Sequence, residues 1–291
     1  MTIVHGSDLH FGKPHDPAAA ETFMETVHDL SPDLLVLSGD FTQRAKEREY
    51  EAARAWLDGL PDVPVVVTPG NHDVPLYRVW ERLTRPFENY RRWIHPELDT
   101  VTSIPGVTAV SLNTAAPRRA IVNGRMDRHQ IDFAREAFAR AEPGDLKVVV
   151  SHHHLAPAPD YEGDKPLPGA RDILDAFEAM GVDLVMGGHL HRAYIGNSLD
   201  VYPGEDRSRG VVIVQSGTTT SSRGRARERA KTTFNLIRVQ EDRLEVVHHM
   251  HFREAGGFAP FSIHSFPRGP RLFFSEAPFT AGQVESARGR P

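Results

Sequence analysis

Five short stretches carry the side chains that bind metal or move protons: Asp8-Leu9-His10, Gly39-Asp40, Gly70-Asn71-His72-Asp73, His152-His153-His154 and Gly188-His189-Leu190-His191. Their donors are carboxylates, imidazoles and one amide oxygen. That mixture suits Mn, Fe or Zn, whereas all-oxygen shells would point to Mg or Ca. Cys is absent, so thiolate sites and disulfides are excluded. Asp8, His10, Asp40, Asn71, one member of the His triplet, His189 and His191 are too many ligands for one ion and suit two. Two ions about 3.5–4 Å apart need a bridging carboxylate and can clamp the attacking and leaving oxygens of a phosphoryl displacement. A hydroxide shared between them would be the nucleophile, because metal binding draws the pKa of water toward neutrality.

Each stretch follows a segment with the pattern of a buried strand. Residues 2–5 lead into Asp8, the apolar run 34–37 into Asp40, and the β-branched run 63–68 into Pro69-Gly70-Asn71-His72-Asp73. Residues 147–150 end at the His triplet, and 182–186 end at Gly187-Gly188-His189. Helical spacing fills 17–30, 45–60, 127–141 and 170–180, giving strand-helix alternation with nearly continuous apolar strands. Right-handed crossovers place successive parallel strand ends on one edge, so the polar loops converge there. The aromatic, Arg-rich stretch 76–97 reads as helical cover near that edge. Residues 211–215, 233–239 and 244–251 read as a second, antiparallel half, and Phe252 onward as an irregular tail. The domain expectation is therefore one catalytic unit, 1–251, followed by a tail, 252–291, that wraps the surface, contacts a second copy in a homodimer or is partly disordered.

The composition is that of an ordinary globular protein: 291 residues, 40% hydrophobic and 25% charged. A net charge of -5 gives no basis for tight non-specific nucleic-acid binding. No apolar run approaches the roughly 20 residues that span a bilayer. The first residues lack a basic segment followed by a long apolar core, so no secretory signal is expected and the chain reads as cytoplasmic.

The five stretches together resemble the signature of the calcineurin-like metallophosphoesterase superfamily: Asp-x-His, Gly-Asp, Gly-Asn-His-Asp/Glu, His and Gly-His-x-His. The resemblance spans Asp8 to His191. It implies an α/β fold, a four-layer sandwich of two mixed β-sheets flanked by helices, and a dinuclear centre of two divalent ions (Mn, Fe or Zn). By that resemblance Asp8, His10 and His191 would hold one ion and Asn71, His152 and His189 the other, with Asp40 bridging. His72 would stabilise charge at the phosphate or protonate the leaving oxygen, and Asp73 would orient it. Within the triplet the ligand is His152 or His153; the strand-ending position favours His152. His153 and His154 are candidates for substrate contact.

The phrases Ser-Asp-Leu-His-Phe-Gly, Gly-Asp-Phe-Thr-Gln-Arg and Pro-Gly-Asn-His-Asp-Val-Pro look most like bacterial class III cyclic-nucleotide phosphodiesterases and their broad-specificity relatives. Gln215-Ser216-Gly217-Thr218, Ser222-Arg223 and Phe234-Asn235 fit that branch too. The resemblance implies a metal-dependent phosphodiesterase acting on a small phosphoester. A phosphomonoesterase or pyrophosphatase of the same superfamily is the main rival. A DNA nuclease would want a basic groove, and a scaffold without chemistry would lack ligands. The cluster Arg207, Arg209, Arg223, Arg225, Arg227, Arg229 and Lys231 reads as a solvated loop or as steering for phosphate. His248, His249 and His251 read as surface positions on a strand.

Overall fold

The computed structural model describes residues 1–118, 122–157, 165–203, 210–252, 254 and 256–268. In chain order the strands are β1 (Thr2–Gly6), β2 (Leu34–Leu37), β3 (Val65–Val67), β4 (Thr100–Ile104), β5 (Val107–Leu112), β6 (Leu146–Ser151), β7 (Leu184–Gly187), β8 (Tyr194–Asn197), β9 (Val212–Gln215), β10 (Thr233–Val239), β11 (Arg243–Phe252) and β12 (Gly257–Pro267). The helices are α1 (Pro17–Leu30), α2 (Glu47–Leu57), α3 (Val79–Thr84), α4 (Glu88–Trp93), α5 (Arg128–Ala139), α6 (Ala170–Ala179) and α7 (Ser198–Val201).

The strands form two six-stranded mixed sheets, ordered β12-β11-β10-β1-β2-β3 and β4-β5-β6-β7-β9-β8. β1, β2 and β3 run parallel, as do β5, β6, β7 and β9. Alternation along β2 shows why its sequence is continuously apolar. Leu34 and Val36 pack between the two sheets, with Val148, Val150, Leu184 and Met186 from the other sheet. Leu35 and Leu37 face the opposite way, onto Phe23, Val27, Tyr50 and Trp56 of α1 and α2. α5 and α6 cover the outer face of the second sheet through Ala134, Phe138, Ile173 and Phe177. Four layers result: helices, sheet, sheet, helices.

α1 begins where the Asp16 side chain accepts the backbone N–H groups of Ala18 and Ala19, with Pro17 preset for the first turn. It stops at Ser31, whose backbone is left-handed and which precedes Pro32. Its fully buried Phe23 lies against Trp56 and Phe234, so Phe23→Ala would cost about 3–5 kcal/mol.

Three differences from the sequence expectations have physical causes. The antiparallel half is divided: β10 and β11 join β1 in the first sheet, while β9 runs parallel to β7 in the second. Residues 257–267, read as part of an irregular tail, form edge strand β12, paired with β11 around a register shift at His248/His249. Pro260 and Pro267 hid it, because proline suppresses a strand signal yet is tolerated on an edge. Residues 269–291 lie outside the described residues. The stretch 76–97 holds two short helices, α3 and α4, separated at Pro86. Among the described residues no helix is long and apolar enough to cross a membrane.

Candidate metal centre

The loops after β1, β2, β3, β6 and β7 meet at one edge of the sandwich. The first sheet supplies Asp8, His10, Asp40 and Asn71; the second supplies His152, His189 and His191. The Asn71–Asp73 stretch is a single 3-10 turn, and the Asp73 carboxylate ties it to the β2 loop by accepting from the N–H groups of Phe41 and Thr42 and from Gly70 N–H. Two glycines let the loops close. A Cβ on Gly70 would lie 2.1 Å from Asp40 Oδ1, and one on Gly39, where φ is +97°, would lie 2.6 Å from His152 Nδ1. Asp8, His10, Asp40, His189 and His191 all have left-handed backbones, with φ between 51° and 72°. Non-glycine residues there are uncommon and strained.

Asp8, His10, Asp40 and His191 are buried and present ligand atoms all within 4.8 Å of one another. His10 Nε2 and His191 Nε2 are 3.1 Å apart, and His191 Nε2 is 3.1 Å from Asp8 Oδ1. Two donors each about 2.1 Å from a common ion, at angles between octahedral and tetrahedral, lie about 3.0–3.4 Å apart. The observed spacings match. Asp8 Oδ1 and Asp40 Oδ2 are buried with no aligned hydrogen-bond donor among the described residues, a costly state for carboxylate oxygens unless a cation meets them.

A second group lies across Asp40. His152 Nε2 is 3.4 Å from Asp40 Oδ2 and 3.2 Å from Asn71 Oδ1, and His189 Nδ1 is 2.9 Å from Asn71 Oδ1. The residues therefore fit two ions with Asp40 Oδ2 between them. His152 Nδ1 is 2.8 Å from the Ser38 carbonyl oxygen, which can only accept, so Nδ1 carries a proton and Nε2 is the nitrogen turned inward, free to ligate once an ion displaces the proton that Asp40 favours there.

The ionisation states follow the same geometry. Burial works against the Asp40 carboxylate, yet the neighbouring imidazoles, His152 first, hold its pKa below the usual range. Burial also opposes ionised Asp8, and His191 and His10 hold it well below its ordinary value. Burial pushes His10 down to about 4, so its imidazole is neutral, as a ligand must be. For His152 burial is outweighed by Asp40, which pushes it up to about 9.

His153 is separated from His152 by its direction. Its Nδ1 is 2.8 Å from Thr114 Oγ1, and its ring lies 4.6 Å from that of His189. His154 stacks on His189 at 5.7 Å. Both are buried against His189, and neither is among the residues that border the open cavity. Asp73 does not orient the His72 ring either. His72 Nδ1–H donates to the Gln43 carbonyl at 2.9 Å, while Asp73 holds loops together; burial, then the Asp40 charge, push the Asp73 carboxyl up to about 7.

The centre opens into a cavity of about 200 Å³ bordered by His72, Gln43, Arg44, Leu76, Arg223 and Arg225. Drug-sized ligands fill pockets above about 300 Å³, so a small ligand fits. The guanidinium of Arg223 meets the His72 ring there, at 3.2 Å from Nε2. Sequence reading left Arg223 open between a solvated loop and steering for phosphate, and Gln43 was not singled out. Arg207 and Arg209 lie outside the described residues. His248, expected at the surface, is fully buried, 2.9 Å from Asn235 Oδ1.

The calcineurin-like phosphoesterase family profile matches residues 1–193. A Synechococcus protein described as a probable cyclic nucleotide phosphodiesterase is 30% identical over 223 residues, covering 70% of this chain and 79% of its own. Among solved structures, a purple acid phosphatase from yellow lupin (Lupinus luteus) superimposes with a TM-score of 0.66 at 16% identity, over 93% of this chain and 54% of that one. This chain thus spans about half of the lupin protein's length. A dimetal phosphatase from Danio rerio gives 0.65 at 12% identity, over 92% and 99%. At such identities these two show the shared fold of stacked mixed sheets and helices.

Proposed function

The chain belongs to the calcineurin-like phosphoesterase family, and from that premise we propose that it is a dinuclear-metal phosphodiesterase of small phosphodiesters, with cyclic nucleotides as candidate substrates. The observation that carries this is the pair of donor sets meeting at Asp40 beside a small cavity with arginines on its wall. Asp8, His10 and His191 would hold one divalent ion, Asn71, His152 and His189 the other, and Asp40 both. Ions bound there supply Lewis acidity toward phosphoryl oxygen and lower the pKa of water.

The chain's own groups do the rest. Asp40 Oδ1 accepts His72 N–H at 2.8 Å, leaving Oδ2 for the centre. Ser38 fixes the His152 tautomer, and the Asp8 Oδ2 acceptor for His189 N–H, at 2.9 Å, fixes the last loop. His72, held through Nδ1 by the Gln43 carbonyl, directs Nε2 into the cavity, where it can hold a proton near the leaving oxygen. Diester rather than monoester chemistry is supported by the Synechococcus relative, whose description is that of a probable cyclic nucleotide phosphodiesterase. Duplex DNA is disfavoured by the net charge of -5.

The test compares bis-(p-nitrophenyl) phosphate with p-nitrophenyl phosphate as substrates of metal-stripped protein reloaded with Mn. Faster diester hydrolysis is expected, followed by turnover of cyclic AMP. Preference for the monoester would assign a phosphatase.

A further inference from the structure

We propose that Arg223 is the phosphate anchor of this site, donating from its guanidinium to a non-bridging oxygen of the substrate. The proposal deepens the phosphoester reading above and rests on it. Arg223 lies outside residues 1–193, on the arch between β9 and β10, yet it reaches the residues at the heart of the cavity. Its Nη1 donates to Gln43 Oε1 at 3.1 Å and to His72 Nε2 at 3.2 Å, and lies 3.5 Å from His10 Nδ1. It shares the cavity wall with Asp40, Asn71, His189 and His191.

The arch is fixed to the ligand loops by its backbone. Thr219 N–H donates to the Ser7 carbonyl at 2.9 Å, Thr220 Oγ1 to the Leu9 carbonyl at 2.7 Å, and Arg225 N–H to the His191 carbonyl at 2.8 Å. These bonds bracket Arg223 on both sides and set its distance from the metal-binding loops. A half-buried guanidinium so placed needs little reorganisation to pair with an anion. Its planar fork matches phosphate oxygens, and such charge-assisted bonds are about twice as strong as neutral ones. In the structure that capacity is spent on two neutral acceptors, Gln43 and His72. A phosphate oxygen entering the cavity is a better partner than either, and its arrival releases His72 Nε2 to face the leaving oxygen.

The experiment is a calorimetric titration of Mn-loaded full-length protein with inorganic phosphate, for wild type, Arg223→Gln, Arg223→Lys and Arg229→Gln, an exposed position on the same arch. Manganese content is measured in each. Arg223→Gln should bind phosphate roughly tenfold or more weakly at unchanged Mn content, with Arg223→Lys intermediate because it keeps a point charge. Arg229→Gln should match wild type. With bis-(p-nitrophenyl) phosphate, Arg223→Gln should raise KM. Phosphate affinity of Arg223→Gln within about twofold of wild type would overturn the proposal. If Arg223→Gln loses manganese, Arg223→Lys decides, and wild-type affinity in that variant overturns the anchor. Phosphate binding is read without turnover. A wild type that binds phosphate through Arg223 but cleaves no diester would refute the diesterase assignment and leave the anchor standing.

Discussion

Asp40 and His72 are joined by a hydrogen bond in which Asp40 Oδ1 accepts the His72 backbone N–H at 2.8 Å, while Oδ2 has no hydrogen-bond donor among the described residues. One carboxylate therefore builds the loop with one oxygen and offers the other to both donor groups. Asp40→Ala should lose both ions and loosen the 71–73 turn. Asp40→Asn keeps an acceptor for His72 but loses the charge, and should keep the fold while binding metal weakly. Elemental analysis of reloaded protein decides; two tightly held ions in Asp40→Ala would remove Asp40 from its bridging place.

Gly70→Ala removes no ligand, yet its Cβ would stand 2.1 Å from Asp40 Oδ1 and 2.5 Å from Asp40 N. Asp40 must be displaced, at a cost of about 1–3 kcal/mol in stability. Metal affinity should fall as in Asp40→Asn. Full metal content at wild-type stability would show that the loop gives way easily.

His72→Gln should retain both ions, because no inward contact of the two donor groups depends on its ring. Turnover should drop by roughly 10²–10⁴-fold, most for substrates with poor leaving groups. Equal losses for p-nitrophenyl and alkyl diesters would mean that His72 does not protonate the leaving oxygen.

The two sheets contribute separate candidate ligands, so ions bound there would cross-link them. Metal at about 100 times its Kd should add about 2.7 kcal/mol of stability. For a domain of this size that raises Tm by roughly 5–11 °C. Thermal melts against Mn concentration test this, with Asp40→Ala as the variant expected not to respond. A wild-type Tm indifferent to Mn would argue against a shared centre.

His248 gives a pH dependence away from the site. Burial, then the charge of Arg227, lower it to about 3; His249, His264 and the Glu228 carboxylate at 3.7 Å also face it. The unfolded chain takes up this proton near pH 6.5, before the folded one does. Its contribution is thus complete above about pH 6.5 and is lost as pH falls toward 3, by at most about 1.4 kcal/mol per pH unit. Urea unfolding at several pH values should show the wild type losing stability faster than His248→Gln across that window. Parallel curves would mean that His248 does not titrate as a buried neutral ring.

The candidate ligands were legible in the sequence because metal chemistry demands particular donors, and strand topology brings strand ends to one edge. Asp8, His10, Asp40, Asn71, His189 and His191 stand together as their motifs suggested. What stayed hidden depends on backbone atoms, which every residue shares. The Ser38 carbonyl separates His152 from His153, and the Gln43 carbonyl rather than Asp73 turns the His72 ring. The place of Arg223 depends on bonds from an arch about 210 residues away in sequence to the Ser7 and Leu9 carbonyls, a separation that no local pattern spans. β12 was masked by its prolines, and His248 by the polar company it keeps on β11.

Asp8, His10, Asp40, His189 and His191 share a left-handed backbone that glycine would adopt freely. Holding such residues there costs of order 1–3 kcal/mol apiece. In a heat-resistance screen run without metal, glycine or asparagine at His10, His189 and His191, whose side chains hold no loop as Asp8 and Asp40 do, should therefore be enriched, and each gain would dismantle the centre. Directed evolution of a hardier variant of this chain has to select for turnover alongside temperature, or it will converge on an inert protein.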